Sequence, residues 1–325
     1  MMKTTVVGSY PKVTEDNQEN LPGVIDRWQK QQVNDAGLEQ ALQGATRRVI
    51  QEQERAGIDL ITDGQIRWED LMSPLASRLT NVKPGGLRRF FNNNAYYRRP
   101  IVSGPPTWAK PILVDWFTQA KGMAAKPLKV ALPGPLTLTV LAEDQRHGKV
   151  KPEQLLTEVT ASLRKEVEAL AAAGATHIQL DEPALEPNQP LAAAGIQAIN
   201  EVLRGVKATQ WVALYFFDVT PMVERLAAIQ ADVLSLDLVT APGLADHTKA
   251  LPQALALGVL DARNTRLESA DQVASLVEQA ARGREDRTWL TPNCGLEFLP
   301  HGRALKKLDV LVSAARRLGL SPARA

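Results

Sequence analysis

Eight short apolar runs, each followed by a helical pattern, restrict this chain more than any other feature of it. The runs begin at Lys3, Ile58, Pro127, Thr176, Trp211, Asp232, Ala256 and Arg287. Most are rich in the β-branched and aliphatic residues that suit strands. Strand–helix alternation builds a parallel sheet with covered faces. Eight repeats over roughly 250 residues, plus one insertion, predict an α/β fold of the (β/α)8 TIM-barrel type. An open doubly wound sheet is the competitor. No strand leads into a G-x-G-x-x-G or G-x-x-x-x-G-K loop, however, so the usual nucleotide fingerprint of that fold is missing. Residues 1–325 are expected to form one domain.

A barrel turns this pattern into a site expectation, because active sites lie at the C-terminal ends of the strands. Those ends read Gly8-Ser9, Asp63-Gly64-Gln65, Pro133-Gly134-Pro135, Asp181-Glu182, Tyr215-Phe216, Asp237, Asp261 with Arg263 and Asn264, and Asn293-Cys294. They are polar where the strands are apolar, which suits a small polar ligand. The fourth run, Ala175 to Leu180, follows the helical stretch Pro152–Ala173 and its stop at Gly174, and delivers Asp181-Glu182 to its tip before Pro183. Alternation along a strand sends these two carboxylates in different directions. Asp181 is expected in the pocket, and Glu182 in a neighbouring or bracing role.

Between Ile66 and Lys126 the repeat breaks. Residues 66–126, after the second strand, hold Arg67-Trp68-Glu69-Asp70, the pair Gly85-Gly86, and an Arg- and aromatic-rich stretch from Arg88 to Pro100. This is too long for a simple connection. It is expected to cover the barrel mouth, with Arg98 and Arg99 reaching an anionic ligand; the alternative is a solvated β-hairpin with stacked aromatics.

A net charge of +2 gives no support for a nucleic-acid or membrane-surface partner. The N-terminus is too quickly polar for a signal peptide, and no apolar run approaches the ~18–20 residues of a membrane span. Cys294, the single cysteine, excludes internal disulfides and fits a reducing cytoplasm.

In this order, Thr5-Val6-Val7-Gly8-Ser9-Tyr10-Pro11, Thr62-Asp63-Gly64-Gln65, Leu132-Pro133-Gly134-Pro135, Asp181-Glu182-Pro183-Ala184-Leu185 and Pro292-Asn293-Cys294-Gly295-Leu296 resemble the cobalamin-independent methionine synthase family along nearly the whole chain. The resemblance implies a (β/α)8 barrel that moves a methyl group from a folate-like donor, or a methylcorrinoid, to homocysteine or a similar thiol. It implies that Asp181 takes the substrate's ammonium and Ser9 its carboxylate. Gln65, Glu182, Arg263 and Asn264, at the strand ends, are candidate further substrate contacts, and Asp181 and Cys294 are the candidate catalytic residues. The family also binds zinc, which lowers the thiol's pKa.

The zinc motif is degenerate here. The fifth strand ends in Tyr215-Phe216-Phe217-Asp218 where the family has an H-x-C pair, the sixth offers Asp237 in place of a glutamate, and Cys294 alone matches. That falls short of the three or four ligands zinc takes. His147, His177, His247 and His301 read as structural or solvated. Two further departures are Gln65, where an acid is expected, and Asp261-Ala262-Arg263-Asn264, where a histidine proton donor is expected. The methyltransferase reading therefore stands beside two others. One is a non-catalytic, zinc-less barrel that partners a second, catalytic barrel subunit. The other is different acid–base chemistry by Asp181, Glu182 and Arg263.

Overall fold

The computed structural model describes residues 2–15, 21–146 and 150–320. Its strands are β1 (Lys3–Thr4), β2 (Thr80–Arg89), β3 (Tyr96–Thr107), β4 (Lys129–Pro133), β5 (Glu143–Asp144), β6 (His177–Asp181), β7 (Thr209–Leu214), β8 (Val233–Asp237), β9 (Ala254–Leu260) and β10 (Thr288–Pro292). The helices are α1 (Leu21–Gln29), α2 (Asp35–Ala56), α3 (Ser73–Ala76), α4 (Val114–Met123), α5 (Pro135–Leu141), α6 (Pro152–Ala172), α7 (Ala192–Leu203), α8 (Val223–Leu226), α9 (Ala270–Ala280) and α10 (His301–Leu320). His147 lies outside the described residues.

Seven strands form one sheet in the order β1-β10-β9-β8-β7-β6-β4, and every pair in it is parallel. The run Ile58–Thr62 contributes two single bridges, Thr5 to Leu60 and Ile61 to Leu128, which connect the β1 and β4 edges of that sheet. Thr5 also donates its hydroxyl to the Leu60 carbonyl at 2.8 Å. Helices pack on the outer side through apolar stripes. In α6 these are Leu155, Leu156, Val159, Leu163, Val167 and Leu170, spaced at three and four residues as one helical face requires.

Register decides which side chains face inward. Pairing sets Lys129 beside His177, Ala131 beside Gln179, Gln179 beside Trp211 and Asp181 beside Ala213. With a period of two, His177, Gln179 and Asp181 share one face of β6, and Ile178 and Leu180 the other. The inner layer below the site is closed by Leu60, Trp211, Val233 and Ala256, with Trp289 packed on Trp211 at 5.2 Å between ring centroids.

Residues 66–126 are organised rather than irregular. An antiparallel pair, β2 and β3, with β5 alongside β3, makes a separate three-stranded sheet, flanked by α3 and α4. The sequence pattern did not single out α4. After β8 the chain forms two short 3-10 turns, Pro242–Asp246 and Thr248–Ala250. There Thr248 spends its hydroxyl on the Ala280 carbonyl, at 2.7 Å, pinning the turn to α9.

Candidate active site

The site grows from the tip of β6. Asp181 projects inward and Glu182 outward, as strand alternation demands. Asp181 lines a narrow cleft together with Ser9, Lys12, Gln65, Asp70, Tyr215 and Glu297, and with the aromatic residues Trp68, Phe90, Phe216 and Phe298. Its lining is thus part ionisable and hydrogen-bonding and part aromatic.

Asp181 accepts a 2.6 Å hydrogen bond from Gln179 Nε2 and another from the Tyr215 hydroxyl. Burial pushes its pKa up to about 7, against the pull of Gln179, Lys129 and Tyr215, and with Glu297 adding to the rise. Glu297, which hydrogen-bonds Ser9, is likewise raised by burial, with Lys12 opposing. The Lys12 ammonium is buried, which lowers its pKa, and donates to the Trp68 carbonyl. Three carboxyls (Asp70, Asp181 and Glu297), one ammonium and two hydroxyls therefore line one cleft. The backbone supports this: Leu296 N donates to the Ser9 carbonyl at 2.9 Å, and a Cβ at Gly295 would run into Ser9 Oγ, so only glycine lets these strand ends approach.

Two residues of the rim hold positive φ without being glycine: Gln65 at 50° and Phe216 at 77°. Such left-handed backbone costs about 1–3 kcal/mol and persists only where its surroundings hold it. Gln65 N is fixed by Asp63 Oδ1 at 2.9 Å, and its amide reaches the Ala131 carbonyl at 3.2 Å. Phe216 N donates to Asp237 Oδ2 at 3.1 Å.

Several residues expected here lie elsewhere. Glu182 does not line the cleft; its carboxylate accepts from Leu136 N at 3.0 Å, from Thr137 N at 2.5 Å and from the Thr137 hydroxyl, at the start of α5. A Cβ on Gly134 would strike it. Cys294 is buried outside the cleft lining, and burial next to Asp237 drives its thiol well above the usual range, away from thiolate character. Asn264 is exposed and borders a separate groove with Asp261, Arg266 and Glu268. Arg263 stands behind the aromatic wall, its guanidinium 5.3 Å from the Phe216 ring and bonded to Asn93 Oδ1 and Thr240 Oγ1. Arg98 and Arg99 also miss the cleft. They pair with Glu69 at 2.7 Å and Glu143 at 2.9 Å. What residues 66–126 bring to the site is aromatic: Phe90 sits 6.0 Å from Phe216, and Phe91 5.4 Å from Phe217.

Sequence reasoning passed over Lys12, Glu297, Trp68, Asp70 and Phe298. Lys12 and Glu297 each lie within three residues of a strand-end motif, Pro11 and Cys294, and that proximity was the available signal.

The donor set does not fit zinc. Asp237 already accepts five hydrogen bonds, from Phe216 N, Val239 N, Thr240 N, Thr240 Oγ1 and Asn293 Nδ2. Tyr215 stands at the end of β7 with its hydroxyl on Asp181. Among the described residues no group of three or more His, Cys, Asp and Glu stands together to hold a metal ion. His177 Nδ1 faces Trp211 Nε1 at 3.2 Å, and His301 pairs with Glu52.

Comparison with known proteins places this geometry. The family described as "Cobalamin-independent synthase, Catalytic domain" matches residues 2–317. The chain belongs to that family. It is 28% identical over 321 residues to a methionine synthase of Saccharolobus solfataricus, covering 97% of this chain and 94% of that protein. It is also 28% identical to the 5-methyltetrahydropteroyltriglutamate–homocysteine methyltransferase of Chelativorans sp., of which it spans 42%. A B12-independent methionine synthase from Shewanella sp. W3-18-1, solved with selenomethionine, shares the fold at a TM-score of 0.84 and 22% identity over 98% of both chains. Nothing in these relatives favours the non-catalytic partner barrel. No helix among the described residues is long and apolar enough to cross a membrane.

Proposed function

We propose that this chain is a methyltransferase of the cobalamin-independent synthase type, with homocysteine or a similar amino-acid thiol as acceptor and a methylated folate, or a methylcorrinoid, as donor. The observation that carries the reading is the cleft in which Asp181, Glu297, Lys12 and Ser9 converge below an aromatic wall. An α-amino acid presents an ammonium, a carboxylate and an apolar tail. Asp181 suits the ammonium, and Lys12 with the Ser9 hydroxyl suits the carboxylate. Trp68, Phe90, Phe216 and Phe298 suit a sulfur-bearing tail, since sulfur packs well on ring edges.

With a methylated folate as donor, transfer forms an S–CH3 bond, breaks the donor's N–CH3 bond, removes the thiol proton and protonates the departing nitrogen. Glu297, a cleft carboxyl whose pKa burial raises, is the candidate donor of the proton that the departing nitrogen takes up. In the family zinc supplies thiolate character to the acceptor; no step here is routed through it, because Asp237 and Cys294 do not offer an open ligand set. Within this reading Leu60 and Ile61 close the sheet as the eighth strand of a (β/α)8 barrel in a single domain, and residues 66–126 cover its mouth through Phe90 and Phe91.

The test is direct. Calorimetry with L-homocysteine and L-methionine should give saturable binding that Asp181→Asn weakens at least about tenfold, the loss of one charge-assisted contact. Incubation of homocysteine with methyltetrahydrofolate, its triglutamate or methylcobalamin should yield methionine by mass spectrometry, from protein whose metal content has been measured. Absence of amino-acid binding overturns the cleft assignment, and one tightly held zinc per chain overturns the donor-set argument.

A further inference from the structure

One layer beneath the cleft lies a cation that the proposed chemistry does not use. Lys129, on β4, is buried inside the sheet. Its Nζ is 2.6 Å from Gln179 Oε1 and 4.6 Å from the centroid of the Trp211 ring. No carboxylate among the described residues pairs with it directly. Burying an ammonium against a neutral amide and a ring face is expensive, so its position asks for an explanation beyond packing.

Donor and acceptor inventory supplies one. An ammonium has donors only, so Gln179 must turn its carbonyl oxygen toward Lys129. The Gln179 NH2 then points the other way, to Asp181 Oδ1 at 2.6 Å and to the Val7 carbonyl at 2.8 Å. Val7 offers an acceptor only, so both ends of the amide enforce one orientation. The outcome is an N–H aimed at Asp181 together with a positive charge one side chain away. Both favour the ionised carboxylate.

We propose that Lys129 is a positioning residue for the amino-acid cleft: through the fixed amide of Gln179 it keeps Asp181 ionised and oriented to receive an ammonium. This rests on the reading of Asp181 as the ammonium acceptor. The other groups facing Asp181 are the Tyr215 hydroxyl, which donates to it, and Glu297, which opposes its ionisation. Lys129 in turn faces His177, whose imidazole burial holds down to about 4 with Lys129 and Lys3 adding to the effect, and which therefore stays neutral. Burial brings Lys129 itself down to about 7, with Asp181 pulling the other way. The cation and the carboxylate are thus mutually dependent.

The experiment is calorimetry of L-methionine binding between pH 6 and 8.5, in buffers of different ionisation enthalpy so that protons released on binding are counted. Lys129→Met and Lys129→Gln are compared with the unmutated chain, with Asp181→Asn as reference. Lys129→Met should bind about fivefold more weakly at pH 7, as a rise of about one unit above 7 in Asp181 implies, and regain affinity toward pH 8.5. It should also release more protons at pH 7 than the unmutated chain, because Asp181 then ionises on binding. Lys129→Gln retains a donor to Gln179 without the charge and should fall between the two; it carries the test if Lys129→Met does not fold. Weaker binding with an unchanged pH profile and proton count would overturn the proposal and leave Lys129 a packing residue. If the unmutated chain binds no amino acid, or Asp181→Asn binds as well as it does, the reading of the cleft fails instead, and the proposal with it.

Discussion

Glu182→Ala removes the carboxylate that ties the tip of β6 to the start of α5, and the structure sets the size of the effect. Three donors converge on that carboxylate: Leu136 N, Thr137 N and the Thr137 hydroxyl. The Thr137 hydroxyl still accepts from Ala184 N at 3.2 Å, whereas the two backbone N–H groups stay buried and lose their partner. At about 1–3 kcal/mol per orphaned donor, the loss comes to about 4 kcal/mol. Burial raises Glu182 to about 7, so the native carboxylate carries a desolvation cost that the substitution relieves. Offsetting about 1 kcal/mol for that leaves a net destabilisation of about 3 kcal/mol. With an unfolding entropy of roughly 2.1 cal/mol/K per residue, the melting temperature should fall by about 4–5 °C. Thermal unfolding by circular dichroism reads the first quantity, and calorimetry of L-methionine binding well below the transition reads the second, which should stay within about threefold of the unmutated chain. A melting temperature unchanged within about 1 °C, together with an affinity lost more than about tenfold, would refute the bracing role and return Glu182 to the substrate.

Other perturbations test the neighbouring assignments. Cys294 should be inert to a thiol-reactive disulfide reagent in the folded protein and react stoichiometrically in denaturant; rapid native reaction would contradict its burial and raised pKa. Arg98→Ala and Arg99→Ala should leave amino-acid affinity unchanged and each cost at most about 1 kcal/mol, because their partners Glu69 and Glu143 form partly exposed pairs; a loss of affinity would bring these arginines back to the ligand. Asp181 and Glu182 both titrate higher in the folded chain, near 7, than the usual 3.8 and 4.5, so the folded state holds protons that the unfolded chain has released. Their contribution to stability is largest below the unfolded values, declines as pH rises toward about 7 and is level above it. Melting temperatures of the ligand-free protein at pH 5.5 and 8 should differ less in Glu182→Gln than in the unmutated chain; an undiminished difference would show that Glu182 is not the source.

Local pattern and spacing made the repeating architecture legible, because each strand and helix declares itself within a few residues. They also divided Asp181 from Glu182, since alternation in a strand is a local rule. The sequence itself holds Tyr215-Phe216-Phe217 at the strand end where the resemblance implies an H-x-C pair. Other assignments needed the assembled fold. Cys294 looked like a site residue because it ends a strand, yet whether a strand-end side chain reaches the cleft depends on the turn that follows and on what packs over it. Arg98 and Arg99 looked like ligand contacts until their partners came into view, and carboxylates at Glu69 and Glu143 are distant in sequence. Lys12 and Glu297 meet across 285 residues of chain, so no local rule unites them. The Lys129–Gln179–Asp181 line likewise exists only because strand register sets β4 beside β6. Sequence alone determined which residues end each strand and what chemistry they carry. Tertiary structure decided which of them share one desolvated volume, because burial and partner choice are set by contacts between segments far apart along the chain.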